Sequence, residues 1–600
     1  MKRIMAMILC TTMLFGATAC TKSKMEELTS SDCWIVAYTK NPNNEYSAFM
    51  SQSVHFAVTK DSGKNFEELY LGNGKLYATC DFNEENGIVS KGLHNIEIYR
   101  LGDEYIITAS ETKRTKLADG NYPERDTGNF VRWSTKDFVT FTDLGVNDSR
   151  LTLGEKMKCD ATSIVITPEG LDHSENAVSI AISEEIANKL IENNVTVEFD
   201  SVELPENVTV SSKEELKNVT VTVKYTDGST HEKHVIWDMD DIDFNKAGKY
   251  TVKGEMVVRR FPFPVENHPW ADPVLLYYNE KYYFIATNDA NGNTSFEIRE
   301  ADTPEALFEP GVRRETILEA SDTIFKKTFW APEFHIVGNK LRIFCALTIG
   351  DGFDPQCYIM TLKDGGDLLN KDDWTAPVRV VMPDERNLGV NPLGDNKNGI
   401  TLDMTYFEAG GRSYAVWSFR TWAGTDSGSM LMIAEMDPNN PRKLLTFPVL
   451  LTRPYYGWEH NTGTDNNEGP YAWVTDDKVY LAYSGGDARG QMYAVGMLTA
   501  NVNDDLCDVS NWTTSPSPVL ASNYVAGEYG PGHNAFFADE YGDVYITYHG
   551  NNTSERTGIK PGIRRVHFLK DGTPLLYMTH EQDLPVGKES VKITVTVEPK

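Results

Sequence analysis

Cysteine is scarce in this chain of 600 residues. Of eight, Cys10 and Cys20 fall in the leading stretch, and Cys33, Cys80, Cys159, Cys345, Cys357 and Cys507 are scattered over the rest. Six in so long a chain make no disulfide framework, and no Cys-x-x-Cys pair or Cys/His cluster suggests zinc. Most are expected to be inert buried thiols. Long amphipathic helical patterns are almost absent too, residues 183–193 being the clearest exception. Positive charge is in deficit: 57 Lys and Arg stand against 87 Asp and Glu, a formal charge of −30. That balance argues against nucleic acid or an anionic membrane surface as a partner. After residue 20, no run has the length and apolarity of a membrane-spanning helix.

What is present is ordinary for folded protein, with 40% hydrophobic and 11% aromatic residues. The length predicts two to four domains. At the start, Lys2 and Arg3 precede an apolar run over residues 4–15, and Ala17-Thr18-Ala19 leads to Cys20. The run is too short to span a bilayer and reads as a signal peptide over residues 1–19. The small residues before Cys20 resemble a bacterial lipobox, with Ala17 where Leu is commoner. The resemblance implies lipidation at Cys20. The exported protein is then expected on the periplasmic or cell-surface side of the outer membrane, touching it through the lipid alone. The alternative is ordinary cleavage after Ala19 and release.

Most of the chain is short alternating runs punctuated by Gly, Asn, Asp and Pro, an all-β pattern. Residues 180–258 differ from their flanks. Residues 219–225 alternate strictly, Thr226-Asp227-Gly228 turns, a second run reaches Trp237-Asp238, and Ala247-Gly248-Lys249-Tyr250-Thr251-Val252 forms a further turn and strand. The alternation predicts a small β-sandwich, and over about 75 residues the pattern resembles a bacterial immunoglobulin-like module. Pro262, Pro264 and Pro269 then mark an extended linker.

From there one design recurs. Strand pairs are predicted at residues 274–286, 334–345, 404–417, 472–482 and 535–547, each around a short polar or Gly-containing turn. Repeats about 60–70 residues apart predict a five-bladed β-propeller over residues 259–600. Just before the first strand of each pair stands an ionisable residue: Asp272, Glu333, Asp403, Glu468 and His533. Equivalent strand starts meet on one face of a propeller, so these five are expected to converge on one funnel. The bland alternative is that each caps its strand.

The same positions carry a family pattern. His268-Pro269-Trp270-Ala271-Asp272-Pro273, Trp330-Ala331-Pro332-Glu333, Thr401-Leu402-Asp403, Glu468-Gly469-Pro470 and Gly530-Pro531-Gly532-His533-Asn534 resemble glycoside hydrolase family 43 over residues 262–585. The resemblance implies a five-bladed propeller that inverts the anomeric centre. It gives Asp272 the part of general base, Glu468 that of general acid, and Asp403 that of the carboxylate orienting the acid and raising its pKa. The chemistry agrees: an inverting glycosidase pairs a protonated carboxyl with a carboxylate that activates water on the opposite face. No cofactor is expected to be required. His533 resembles a central histidine that in some members approaches a structural calcium ion through its water shell, and a bracing role is the alternative. Arg565 stands where members carry an arginine facing the sugar. Trp270 and Trp330 are expected, with Glu333 and His533, to help bind it. The motif combination is similar to members acting on α-L-arabinofuranosides in a plant polysaccharide or oligosaccharide. A β-xylosidase or endo-arabinanase on the same scaffold, and a non-catalytic surface glycan-binding protein, remain alternatives.

Residues 20–179 are also β-rich and propeller-like, with a hairpin over residues 96–108. Asn95 holds the place of the base aspartate. An amide cannot take a proton from water, so this segment is expected to be non-catalytic, either a partial propeller pairing with the main one or a glycan binder. The whole reads as an all-β chain: partial propeller-like segment, immunoglobulin-like sandwich, then propeller.

Overall fold

The computed structural model describes residues 31–42, 48–83, 87–114, 124–171, 173–194, 196–390, 399–422, 425–461, 464–522, 524–555 and 558–599. The expected leader and Cys20 lie outside these. The chain is built almost entirely of strands. Among the described residues no helix is long and apolar enough to cross a membrane, and the six cysteines beyond the leader are free thiols. Burial pushes the Cys345 and Cys357 thiols up, out of the reactive range.

The chain forms two compact bodies. The first takes the residues up to Asn194 together with Pro454–Asp465. It contains a five-stranded sheet in the order Ile164–Val165, Ser174–Ala181, Trp34–Lys40, His55–Thr59, Glu67–Glu68, and a second sheet centred on Gly87–Leu101, Glu104–Arg114 and Glu124–Thr135. Its core joins Ile35, Phe56, Leu93, Ile107 and Trp133. The helix Glu184–Asn193 is started by the Ser183 side chain, which accepts from the Ile186 amide. Its apolar stripe buries Ala187 and Leu190 in this same core. The module boundary expected at 180 is therefore corrected to about 195. In the sequence the stripe shows amphipathicity and not which core the helix faces. Pro454–Asp465 leaves the propeller sequence and packs into the first body, where the Cys80 amide donates to the Tyr455 carbonyl at 2.6 Å.

The second body begins as the sandwich. One sheet has the order Phe199–Glu203, Val221–Tyr225, Thr230–Lys233. The other runs Val208–Val210, Ser590–Val597, Gly248–Met256, Val235–Trp237. Val221, Val223 and Tyr225 face Val252, Val591, Ile593 and Val595 in one core, as the period of two dictates. Ser590–Val597 thus belongs to the sandwich, paired antiparallel with Gly248–Met256 and parallel with Val208–Val210. The expected 259–600 domain is corrected accordingly: the propeller is an insertion before the last strand of the sandwich.

Five antiparallel sheets follow. Their inner strands are Trp270–Tyr278, Phe325–Val337, Ile400–Ala409, Asn467–Val474 and Tyr529–Ala538, each hydrogen-bonded to the next strand in sequence. Each inner strand packs against that of the next sheet, and the fifth packs against the first. This is the blade order expected of a five-bladed propeller. Hydrophobic clusters fill the spaces between adjacent blades, one of them joining Trp270, Phe284 and Leu307 of the first to Phe537, Tyr545 and Ile563 of the fifth. That position between blades explains why most of the inner strands are largely buried, without the alternation of a half-exposed strand.

Each inner strand breaks register at an equivalent point, between Ala271 and Val274, Trp330 and Glu333, Leu402 and Thr405, Glu468 and Tyr471, and Gly532 and Ala535, and the second and fifth break it at further points as well. Within each of the five equivalent breaks one residue has positive φ: Asp272 (52°), Ala331 (43°), Asp403 (53°), Gly469 (55°) and His533 (46°). These are β-bulges, which turn a side chain out of the pleat. The first body repeats the device at Asn95, φ 49°.

Candidate active site

The bulges build the site. Asp272, Asp403 and His533 occupy the bulge position itself, while Ala271, Trp330, Leu402 and Glu468 stand one residue before it. All seven line one cavity of about 350 Å³, with Thr287, Asp289, Arg489 and His549 among the other walls. Asp272 and Glu468 thus stand within the first three residues of their strands, near the starts expected, whereas Asp403 and His533 stand farther inside theirs. Glu333 sits two residues past its bulge and is not among the residues lining the cavity. It is buried with its Oε2 2.7 Å from His335 Nε2, and burial pushes its carboxyl well above the usual range. The expectation that it binds the sugar is corrected by this offset.

Asp272 is the ionised member. Its Oδ2 accepts from the Thr287 hydroxyl at 2.5 Å, and its Oδ1 lies 3.1 Å from His533 Nδ1. Burial would raise its pKa, but the charge on His533, with the Thr287 hydroxyl as a hydrogen-bond donor, outweighs it and holds the carboxyl well below its ordinary value. The Asp272 amide donates to His549 Nδ1 at 3.2 Å. That nitrogen therefore presents its lone pair, and Nε2–H donates to the Ala488 carbonyl at 3.0 Å.

Glu468 and Asp403 go the other way. Burial first, and then the Asp403 charge, push Glu468 up to about 7. The Tyr493 hydroxyl donates to its Oε1 at 2.9 Å. Asp403 is pushed up to about 6 by burial, with the Asp272 charge adding to it. Its Oδ2 accepts from Ser418 Oγ at 3.1 Å and from the Gly469 amide at 3.2 Å, so the bulge next to the acid is tied directly to Asp403.

His533 is the counter-charge. Burial lowers its pKa, but Asp272, Asp403, Glu468 and Glu333 together raise it to about 9. Its Nε2 is 4.0 Å from Asp403 Oδ1. An imidazolium offers no lone pair to a cation. Among the described residues no group of three His, Cys, Asp or Glu side chains is placed to hold a metal, whereas calcium takes six to eight oxygens. These residues do not fit a directly held calcium ion. The geometry places His533 between two carboxylates, which is the arrangement a bracing residue needs and leaves a calcium ion held through its water shell a separate matter.

Two expected sugar contacts lie elsewhere. Trp270 is 2% exposed, donates Nε1–H to Glu266 at 2.8 Å and stacks under the Arg299 guanidinium. It is two residues before its bulge, where Trp330 is one before, and a one-residue offset points a strand side chain to the opposite face. Arg565 is buried and paired with Asp583 at 2.7 Å, and its guanidinium donates to the Tyr225 hydroxyl of the sandwich at 3.1 Å. It joins propeller to sandwich and does not line the cavity. Conversely, the motifs do not single out His549, Tyr493, Thr287 or Arg489, which stand at or beside the cavity. Only His549, in Tyr548-His549-Gly550-Asn551, carried any signal, as a histidine in an otherwise apolar strand. Arg489 is paired across the mouth with Asp289 at 3.1 Å.

One cavity thus holds a carboxylate kept ionised, a carboxyl kept protonated near neutral pH, and a third acid whose charge helps protonate the second. Such a set can activate water and protonate a departing oxygen. Residues 261–574 match Glycosyl hydrolases family 43, and the chain belongs to that family. Residues 219–257 match Bacterial Ig-like domain (group 4). Among individual proteins, the chain is 28% identical over 316 residues to the extracellular exo-α-(1→5)-L-arabinofuranosidase of Streptomyces avermitilis, covering 51% of this chain and 60% of that one. It is 32% identical over 231 residues to the enzyme of the same description from Streptomyces chartreusis, covering 38% and 64%. The chain therefore spans less than two thirds of either relative. The crystal structure of an α-L-arabinofuranosidase from Lactobacillus brevis is 29% identical, covering 52% of this chain and 95% of that one, with a TM-score of 0.44.

Proposed function

We propose that this protein is an inverting, exo-acting α-L-arabinofuranosidase that removes terminal arabinofuranosyl units from plant polysaccharides or oligosaccharides. The observation that carries the reading is the opposite protonation of Asp272 and Glu468 in one cavity. Asp272 takes a proton from water as the water oxygen bonds the anomeric carbon. The glycosidic bond breaks, and its electron pair leaves on the oxygen that receives the Glu468 proton. Asp403 and His533 hold the two carboxyls in these states. The substrate is taken from the named activities of relatives matched over half of the chain.

The test is a panel of nitrophenyl pentosides with linear arabinan, and proton NMR of the first-formed sugar. Turnover of the α-L-arabinofuranoside with inverted configuration is expected, and Asp272→Asn should lose about 10²- to 10⁴-fold in kcat. Preference for the β-xyloside, or cleavage within arabinan only, would replace the substrate assignment. Absence of turnover on the whole panel would favour a glycan-binding protein. Export with a lipid on Cys20 is part of the same proposal, supported by the small residues before it and by the extracellular description of the two relatives. Cys20→Ser should then leave the membrane fraction, and unchanged fractionation would refute the anchor.

A further inference from the structure

Most tryptophans of this chain are buried, Trp417 at 1% exposure and Trp270 at 2% among them, whereas Trp422 is 48% exposed. Phe353, on the turn between Lys340–Ile349 and Gln356–Thr361, is 58% exposed. The two are neighbours, with ring centres 6.3 Å apart, and Phe353 is in turn 5.9 Å from Trp330 of the cavity wall. Three aromatic rings therefore lead from the cavity outward across the second and third blades. The outer two are held in place. The Arg420 guanidinium lies 5.1 Å from the Trp422 ring centre, and that arginine is fixed by two bonds to Asp426 at 2.6 and 3.0 Å. Lys327 Nζ donates to the Asp351 carbonyl at 2.7 Å and ties down the turn that bears Phe353.

We propose that Trp330, Phe353 and Trp422 form a binding ridge for the sugars that remain outside the cavity, so that the preferred substrate is a chain with at least two sugars beyond the bond that is cut. The proposal rests on the glycosidase reading of the cavity and adds to it a binding surface for a neutral glycan chain. Large exposed aromatic surface is unfavourable in water and marks binding sites when it is contiguous. The C–H faces of sugar rings can cover it while their hydroxyl edges stay in water. The occupant is argued from continuity with the cavity, because Trp330 belongs both to the cavity wall and to the ridge. Arg420 is neutralised by Asp426, so the ridge selects no charge.

The experiment compares wild type, Phe353→Ala and Trp422→Ala on nitrophenyl α-L-arabinofuranoside and on linear arabino-oligosaccharides of two to five units. Wild-type kcat/KM should rise with chain length. Trp422→Ala should leave the nitrophenyl substrate within about twofold and lose about 3- to 10-fold on the tetramer and pentamer, chiefly in KM, which is the value of one aromatic contact. Phe353→Ala should show its loss from shorter chains, because it lies one ring nearer the cavity. Equal losses on all substrates, or none on the long ones, would overturn the ridge. If wild type cleaves no arabinofuranoside, the reading of the cavity fails, and the ridge is then decided by gel retardation on linear arabinan. Weaker retardation of Trp422→Ala would support it, and equal retardation would reject it.

Discussion

Glu468 keeps its proton near neutral pH for two separable reasons, burial and the charge on Asp403. Activity on a poor leaving group requires that proton, so kcat/KM on an oligosaccharide should fall as pH rises through about 7. Asp272 is held below its ordinary value and so stays ionised throughout this range. Replacing Asp403 by Asn removes the like charge and leaves the burial. The expected result is an alkaline limb at lower pH, still above the ordinary glutamate value of about 4.3. A pH profile of Asp403→Asn on arabinotriose checks the sign. An unmoved limb would mean that burial alone sets the acid.

The β-bulge is the element from which the site is made, and one bulge differs from the others. Asp272, Ala331, Asp403 and His533 tolerate positive φ with a side chain, so backbone strain alone does not demand glycine at 469. The demand comes from space: a Cβ on Gly469 would stand 3.0 Å from the His533 ring. Gly469→Ala should therefore cost about 1–3 kcal/mol of stability through crowding, and it should also displace the imidazolium that holds Asp272 ionised. The acid limb of the pH profile should then move up toward the ordinary aspartate range, with kcat lowered, in a protein that still melts cooperatively. An unchanged acid limb would confine the glycine to a packing role. The same element shows what the sequence made legible. Hairpin spacing conveyed the five blades, and motif order conveyed Asp272, Asp403, Glu468 and His533. The bulge register did not show, because one extra residue leaves no compositional mark. Trp270 and Glu333 were misplaced for that reason, since an offset of one or two residues decides whether a side chain faces the cavity, the blade or the axis. His549 lies on the strand next to the inner one and Tyr493 just before the strand Ala494–Asn501, so their directions depend on the same register.

At the scale of the whole molecule, the propeller is closed into the sandwich by an ionic cluster. Lys233, 1% exposed, lies 3.1 Å from Asp583 and 3.4 Å from Asp543. Arg565 pairs with Asp583 at 2.7 Å, and His231 lies 2.7 Å from Asp543. The two histidines nearby, His231 and His567, are kept neutral, burial being the main cause, so two cations face two anions. The chain ends involved are far apart in sequence, which is why Arg565 could be read as a sugar contact: spacing reports neither the return of Ser590–Val597 to the sandwich nor the partner that awaits an arginine. Removing one member of a buried charge cluster leaves its counter-ion stranded, at about 3–5 kcal/mol. Lys233 and the Tyr225 hydroxyl still serve Asp583 in Arg565→Met, so the lower end of that range applies. Asp583 and Asp543 are held below their ordinary values in the folded protein. Each therefore contributes stability that is complete above the unfolded aspartate value of about 3.9 and is lost as pH falls below it. Arg565→Met should unfold at lower urea concentration at pH 7, and its deficit against wild type should shrink as pH is taken below about 4, where the carboxylates that need the cation are protonated on unfolding. Because Arg565 lies outside the cavity, KM on nitrophenyl α-L-arabinofuranoside should stay within about twofold under folding conditions. A raised KM with unchanged urea midpoint would return Arg565 to the sugar and remove it from the cluster.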